Sequence, residues 1–198
     1  MEYSASFASE GWFQQEIEYV LKALQKGSSR DEIRQNVLNG NPFLLRSELT
    51  IGKRFQMVYR RAMTLYPILS DYYFQGHNHD QKALLLYSFL KSYRYAYENF
   101  YELIVYRYQH NNGTLQNSNM NFYMEEKEQQ SEKIANWNVT TKRKINSILL
   151  LFYRESGMIE LVDGEYKVFP LHVSQALKQF AEEQDPLLKA MITLEVGV

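Results

Sequence analysis

Two short stretches of this chain bring together the residue types that bind phosphate. The first carries Arg46, Lys53, Arg54, Arg60 and Arg61; the second carries Thr140, Thr141, Lys142, Arg143 and Lys144 and continues through an apolar run to Arg154. Residues 46–61 and 142–154 make up 29 of 198 positions yet hold 9 of the 22 Lys and Arg, with Glu48 as their single acid. The chain as a whole is almost neutral, at −1. A neutral protein that binds a polyanion must present its cations locally, on faces. Guanidinium and ammonium groups neutralise phosphates, and threonine hydroxyls donate to them. Arg46, Lys53, Arg54, Arg60, Arg61, Thr141, Lys142, Arg143 and Lys144 are therefore the candidate nucleic-acid contacts, with double-stranded DNA as the expected ligand.

Other chemistries find little support. The chain has no cysteine, which removes disulfides, thiolate metal sites and thiol catalysis together. His77 and His79 are spaced as two metal ligands would be, but they fall in a loop expected near Gly76–Asp80 with only Asp80 beside them, and His110 and His172 have no evident partners. There is no phosphate-cradling glycine loop, dinucleotide fingerprint or nucleophile elbow. The expectation is a protein without catalytic residues, metal, cofactor or small-molecule substrate. Neither a signal peptide nor an apolar run of about 20 residues is present, so a cytoplasmic, membrane-free protein is expected.

The elements that must position the cations read as mainly helical. Phe13, Ile17, Val20, Leu21 and Leu24 recur at helical spacing over 10–26, with Gly27 as the stop. Ser29 and Glu32 match a capping box that opens a short helix carrying Ile33, Val37 and Leu38, ended by Asn39-Gly40-Asn41-Pro42. A third helix starts near Ser47, with Ile51, Phe55, Val58, Ala62 and Leu65 on one face. Lys53 and Arg60 fall on the opposite face, and Arg54 and Arg61 on a flank. Two helices of which the second is basic suggest a helix-turn-helix, although the connection from about 40 to 46 is longer than usual. Residues 67–110 are rich in aromatics and read as core helices with a break near Asn111-Asn112-Gly113, while interleaved Arg94 and Arg107 leave open a base-stacking platform.

Gly113–Asn119 reads as a linker and 120–134 as a solvated acidic helix. Thr140 or Thr141 caps a helix running to Ser156, with Lys142, Arg143 and Lys144 in its first turn and Ile145, Ile148, Leu149 and Phe152 buried. Met158–Val162 and Glu165–Phe169 alternate as strands about Asp163-Gly164, a strong hairpin signal. Helix, basic helix and hairpin follow one another as in a winged helix, and a last helix covers Ser174–Glu183, with another possible after Pro186. The expected organisation is an N-terminal helical lobe with a helix-turn-helix-like segment (1–112) and a C-terminal winged-helix-like lobe carrying a short β-hairpin (113–198).

Several motifs together resemble the BrxA family of bacterial BREX phage-defence systems. They include Tyr3-Ser-Ala-Ser6, Gly27-Ser-Ser-x-x-Glu32-Ile33, Asn41-Pro-x-Leu44, Arg46-Ser47 and Thr50-x-x-Lys53-Arg54. Phe122, Trp137-x-x-x-Thr141-x-x-Lys144 and Leu151-x-x-x-Glu155-Ser-Gly157-Met-Ile159 follow in order. The resemblance spans the chain to about residue 160 and implies a small helical protein with a likeness to the RNA-binding factor NusB. It further implies a capacity to bind duplex DNA and a place beside the BREX methyltransferase and ATPases. It supplies no catalytic residues. Arg46, Lys53, Arg54, Thr141 and Lys144 coincide with its motifs, whereas Arg60, Arg61, Lys142 and Arg143 rest on charge alone.

The leading expectation is a non-enzymatic DNA-binding accessory protein of anti-phage defence. If both basic helices grip about four to six phosphates, affinity should fall with a log–log salt slope of about −4 to −5. A protein–protein adaptor docking other defence components, using its tyrosine-rich and acidic surfaces, is the alternative, and RNA binding a third.

Overall fold

A computed structural model of the chain describes residues 2–110 and 113–195. Its contacts divide the chain into two compact units, one spanning Phe13–Gln75 and the other formed by the residues up to Trp12 with those from Gly76 onward. The boundary expected at 112/113 thus falls inside the second unit, where packing such as that of α5 on α10 crosses it. Asn111 and Asn112, where a helix break was expected, lie outside the described residues.

The Phe13–Gln75 unit is four helices: α1 (Gln14–Gln25), α2 (Arg30–Gly40), α3 (Glu48–Leu65) and α4 (Ile68–Gln75). Its core is the periodic apolar set read from sequence. Ile17, Val20, Leu21, Ile33, Val37, Phe55, Val58 and Ala62 are all completely buried. The capping box at Ser29 forms in full, with the Ser29 amide donating to Glu32 at 2.7 Å and the Glu32 amide donating back to the Ser29 hydroxyl. Two reciprocal bonds tie down the long connection to α3. Asn41, in the left-handed conformation that ends α2, donates from its side chain to the Leu45 carbonyl and accepts from the Leu45 amide. Ser47 then caps α3 by accepting from the Thr50 amide.

The larger unit is built on α5 (Asn78–Ser92), in which Ala83–Leu90 are all buried. The stack of Phe89 on Phe152, 3.8 Å between ring centroids, joins α5 to α10 (Val139–Ser156). Phe7, in a short 3-10 turn, adds rings against Phe89, Tyr93 and Tyr95. α6 (Arg94–Asn99), a π-helical segment (Phe100–Val105) and α7 (Tyr106–His110) run on from one another. β1 (Thr114–Leu115), α8 (Asn117–Gln130) and α9 (Glu132–Ala135) come next. After α10 come β2 (Ile159–Val162), β3 (Glu165–Val168), α11 (Gln175–Gln184) and α12 (Pro186–Thr193). The strands form one antiparallel sheet in the order β1-β3-β2. Asp163 and Gly164 both have positive φ, 53° and 86°, so the hairpin closes on the two-residue turn that their sequence demands.

Three local expectations are corrected. Gly113–Asn119 is not a linker: Thr114 and Leu115 pair with Lys167 and Tyr166 of β3, and Leu115 is fully buried. A two-residue strand is too short for its alternation to be visible in sequence. The acidic helix is not merely solvated either, because α8 buries Met120, Tyr123, Met124 and Lys127. His77 and His79 do not share the loop expected near Gly76–Asp80. His77 is the N-cap of α5, and His79 lies in its first turn.

Candidate nucleic-acid interface

On α10, the N-cap is Asn138, whose side chain accepts from the Thr141 amide at 2.8 Å. The sequence assigned the cap to Thr140 or Thr141. Moving it upstream places Lys142, Arg143 and Lys144 in the second turn, where the unfavourable dipole interaction weakens. Lys142 is then drawn back toward its own unit, pairing with Glu128 at 3.0 Å and donating to the Ala135 carbonyl. Arg143 and Lys144 are exposed. Helical spacing sets them on one outward face with exposed Thr140, Ser147 and Arg154 and half-buried Leu151. Cations and hydroxyls make up the polar part of this face. Arg154 approaches the neighbouring Glu155 only at 3.8 Å with both groups well exposed, a weak tether. Opposite it, Ile145, Leu149 and Phe152 are completely buried, which fixes the rotation of the helix.

The hairpin beyond α10 is acidic at its tip, where Asp163 and Glu165 are exposed and Lys167 is its only cation. Glu165 accepts from Gln116 at 2.6 Å. Its charge repels phosphate, so any grip on a duplex has to come from the helix.

On α3 and in the connection just before it, where Arg46 lies, the basic residues separate into three environments. Arg46, Lys53 and Arg60 are exposed. Arg54 is held inside its unit, pairing with Glu16 at 3.1 Å and lying 3.8 Å over the Phe13 ring. Arg61 is completely buried. It cannot reach a phosphate, and the solvent-facing flank read for it is corrected. The 100° steps of an ideal helix put Arg61 beside Ala62 and Val58 at the edge of the apolar stripe, and the unit packs across that edge. Arg61 is thus a structural cation and Arg54 a partly sequestered one. α3 and α10 belong to different units.

The remaining titratable groups serve the fold. Asp80, 1 % exposed, accepts from the His77 amide and from the Ser174 amide at 2.7 Å, tying the start of α5 to the start of α11. His79 meets the His172 ring edge to face. Among the described residues no group of three or more His, Asp or Glu is arranged to hold a metal. None of the described helices is long and apolar enough to cross a membrane. Sequence reasoning missed an ion cluster around Lys127, which pairs with Glu98 and Glu102, each at 2.8 Å. Glu98 also accepts from Tyr3 and Arg94, at 2.6 Å each. Burial opposes the charge on both central groups but loses to these partners. Lys127 is held above the ordinary lysine value, and the Glu98 carboxyl below the ordinary glutamate value. The signal in sequence was Tyr123-Met124 and Lys127 at helical spacing within the acidic run, which marks Lys127 as facing inward.

The aromatic block is largely core, as its composition suggested. Tyr73, Tyr95 and Phe100 are almost wholly enclosed, while Tyr97, Tyr106 and Tyr108 reach solvent. Arg94, a member of the considered stacking platform, is instead bound to Glu98 and lies 4.3 Å over the Tyr3 ring.

Comparison with known proteins adds the following. The family model described as BrxA matches residues 1–185. A protein of Bacillus cereus (strain H3081.97) described as "BREX protein BrxA" is 26% identical over 157 residues, covering 77% of this chain and 76% of that one. The crystal structure of an uncharacterized protein from Magnetospirillum magneticum superposes with a TM-score of 0.81 over the full length of both chains at 14% identity. At that identity the last likeness speaks for the fold alone.

Proposed function

This chain belongs to the BrxA family, whose members serve BREX anti-phage defence, and from that premise we propose that it is a non-catalytic accessory protein that binds duplex DNA through the outer face of α10. The observation that carries this reading is the exposed stripe of Thr140, Arg143, Lys144, Ser147 and Arg154, its cations turned outward by the buried side of the same helix. The order β1, α8, α9, α10, β2, β3 supports a winged-helix arrangement in which α10 is the recognition helix. Guanidinium and ammonium groups on such a helix neutralise phosphates and position the protein, and the Thr140 hydroxyl adds a donor without base preference, while Ser147 donates to the Arg143 carbonyl. Arg46, Lys53 and Arg60 supply a second, lesser source of positive field. The other components of the defence system, its methyltransferase and ATPases, are the expected partners.

On α3 Arg54 is engaged and Arg61 buried, and because Lys142 is engaged with Glu128, α10 leaves Arg143, Lys144 and Arg154 for phosphate. The salt slope expected from them is about −3, shallower than a grip by both helices would give. Competition among duplex DNA, single strands and structured RNA tests the ligand class. Duplex should win if α10 enters a groove, whereas preference for single strands would favour the exposed tyrosines.

A further inference from the structure

We propose that the groove between α2 and α3 is a docking site for a partner protein, and that its occupant is a segment with apolar anchors flanked by carboxylates. The groove encloses about 580 Å³ and is lined by Arg34, Leu38, Glu48, Leu49, Gly52 and Lys53, with Gln56 at one end. Three observations within this unit converge on it.

First, its apolar groups are turned outward. Leu49 is 71% exposed, and just upstream Leu44 is 88% exposed. Leu44 holds a φ of 52°, unusual for a leucine, within the connection that Asn41 braces by its two bonds to Leu45. A leucine kept in that conformation and presented to water differs from the scattered apolar residues of an ordinary surface.

Second, Gly52 lies in the interior of α3, where glycine weakens a helix relative to alanine. Close packing would be the usual reason for it, yet a Cβ placed there would meet nothing within 4 Å. The space left by the missing side chain opens into the groove, where an incoming chain can approach the helix backbone closely.

Third, the charge is unbalanced. Arg34 and Lys53 flank the leucines, Arg46 stands near the mouth of α3, and these cations have no ion-pair partner among the described residues. Glu48 is the one carboxylate in the lining, in the first turn of α3, where the helix dipole favours it. Exposed leucines add nothing to a phosphate contact, whereas leucine pockets rimmed by cations suit an acidic amphipathic segment laid into a groove. The assignment is independent of the DNA contact on α10.

The test is selection from a displayed library of random peptides, about twelve residues long, against the full chain. The variants Lys53→Glu and Gly52→Leu then serve as controls. Gly52→Leu projects into the groove from a position where a Cβ meets nothing within 4 Å, and it favours the helix, so its melting temperature should equal or exceed that of the wild type. Enriched peptides should pair apolar residues with flanking Asp or Glu, and both variants should weaken their binding by about tenfold or more. Duplex binding should be unchanged in Gly52→Leu. The proposal is overturned if nothing is enriched, if the enriched peptides lack acidic residues, or if they bind Gly52→Leu as tightly as the wild type. It is equally overturned if Gly52→Leu loses duplex binding in step with peptide binding, which would make the groove a DNA face, or if the groove proves to be occupied by a second copy in sedimentation.

Discussion

At the scale of single residues, neighbouring cations of one helix have different tasks. Arg143 and Lys144 point outward, whereas Lys142 is spent on Glu128 and the Ala135 carbonyl. Replacing Arg143 and Lys144 by alanine should lower duplex affinity and reduce the salt slope by about 2, one for each phosphate no longer neutralised. Lys142→Ala should leave the slope nearly intact and act on stability instead, by about 1 kcal/mol, since a half-buried charge pair and a cap to α9 are removed. Paired salt titrations and thermal melts of the two variants distinguish these effects. Arg61→Ala should unfold or strongly destabilise the chain, with no change in slope for the molecules that remain folded, because the guanidinium is completely enclosed. The sequence placed all these residues correctly on helices. It could not separate them, because periodicity gives an angle about an axis, and which angle meets water depends on the neighbouring helices.

At the scale of elements, α8 is anchored by charge as well as by apolar packing. Lys127 is 4 % exposed and lies between Glu98 of α6 and Glu102 of the π-helical segment. Lys127→Ala should cost about 2 to 3 kcal/mol, read by urea denaturation, because it leaves Glu98 sheltered with a depleted set of partners. The pH dependence has a definite sign. The Glu98 carboxyl is held below the ordinary value of 4.5, so its contribution is present above that value and is lost as pH falls through the lower folded value. Lys127, held above 10.5, contributes below that pH and loses its effect only as pH rises through the higher folded value. Glu98→Gln should therefore flatten the loss of stability on the acid side, while leaving the neutral plateau lower. The hairpin was fully legible, since Asp163-Gly164 specifies its turn and the two strands alternate around it. β1 was not, because Thr114-Leu115 acquires strand character only from β3. The capping box at Ser29 was legible because both of its partners are local. The ion cluster was hidden because Tyr3, Glu98 and Lys127 meet only in the folded chain.

At the scale of the whole molecule, the chain is nearly neutral, so the proposed duplex affinity must rest on where its exposed cations are presented. The motif resemblance and the family model agree on what kind of protein this is, and the two compact units hold one basic surface each, α3 in one and α10 in the other. The first joins cations to exposed leucines, and the second joins cations to hydroxyls. On the proposed reading, that difference in chemistry assigns a protein partner to the first surface and DNA to the second. The most direct test is a salt series of duplex binding for the wild type, Arg143→Ala/Lys144→Ala and Lys53→Ala/Arg54→Ala. A wild-type slope near −3 that falls to about −1 in the α10 variant, and stays near −3 in the α3 variant, is the expected result. A flat wild-type slope, or a slope untouched by the α10 substitutions, would contradict the account.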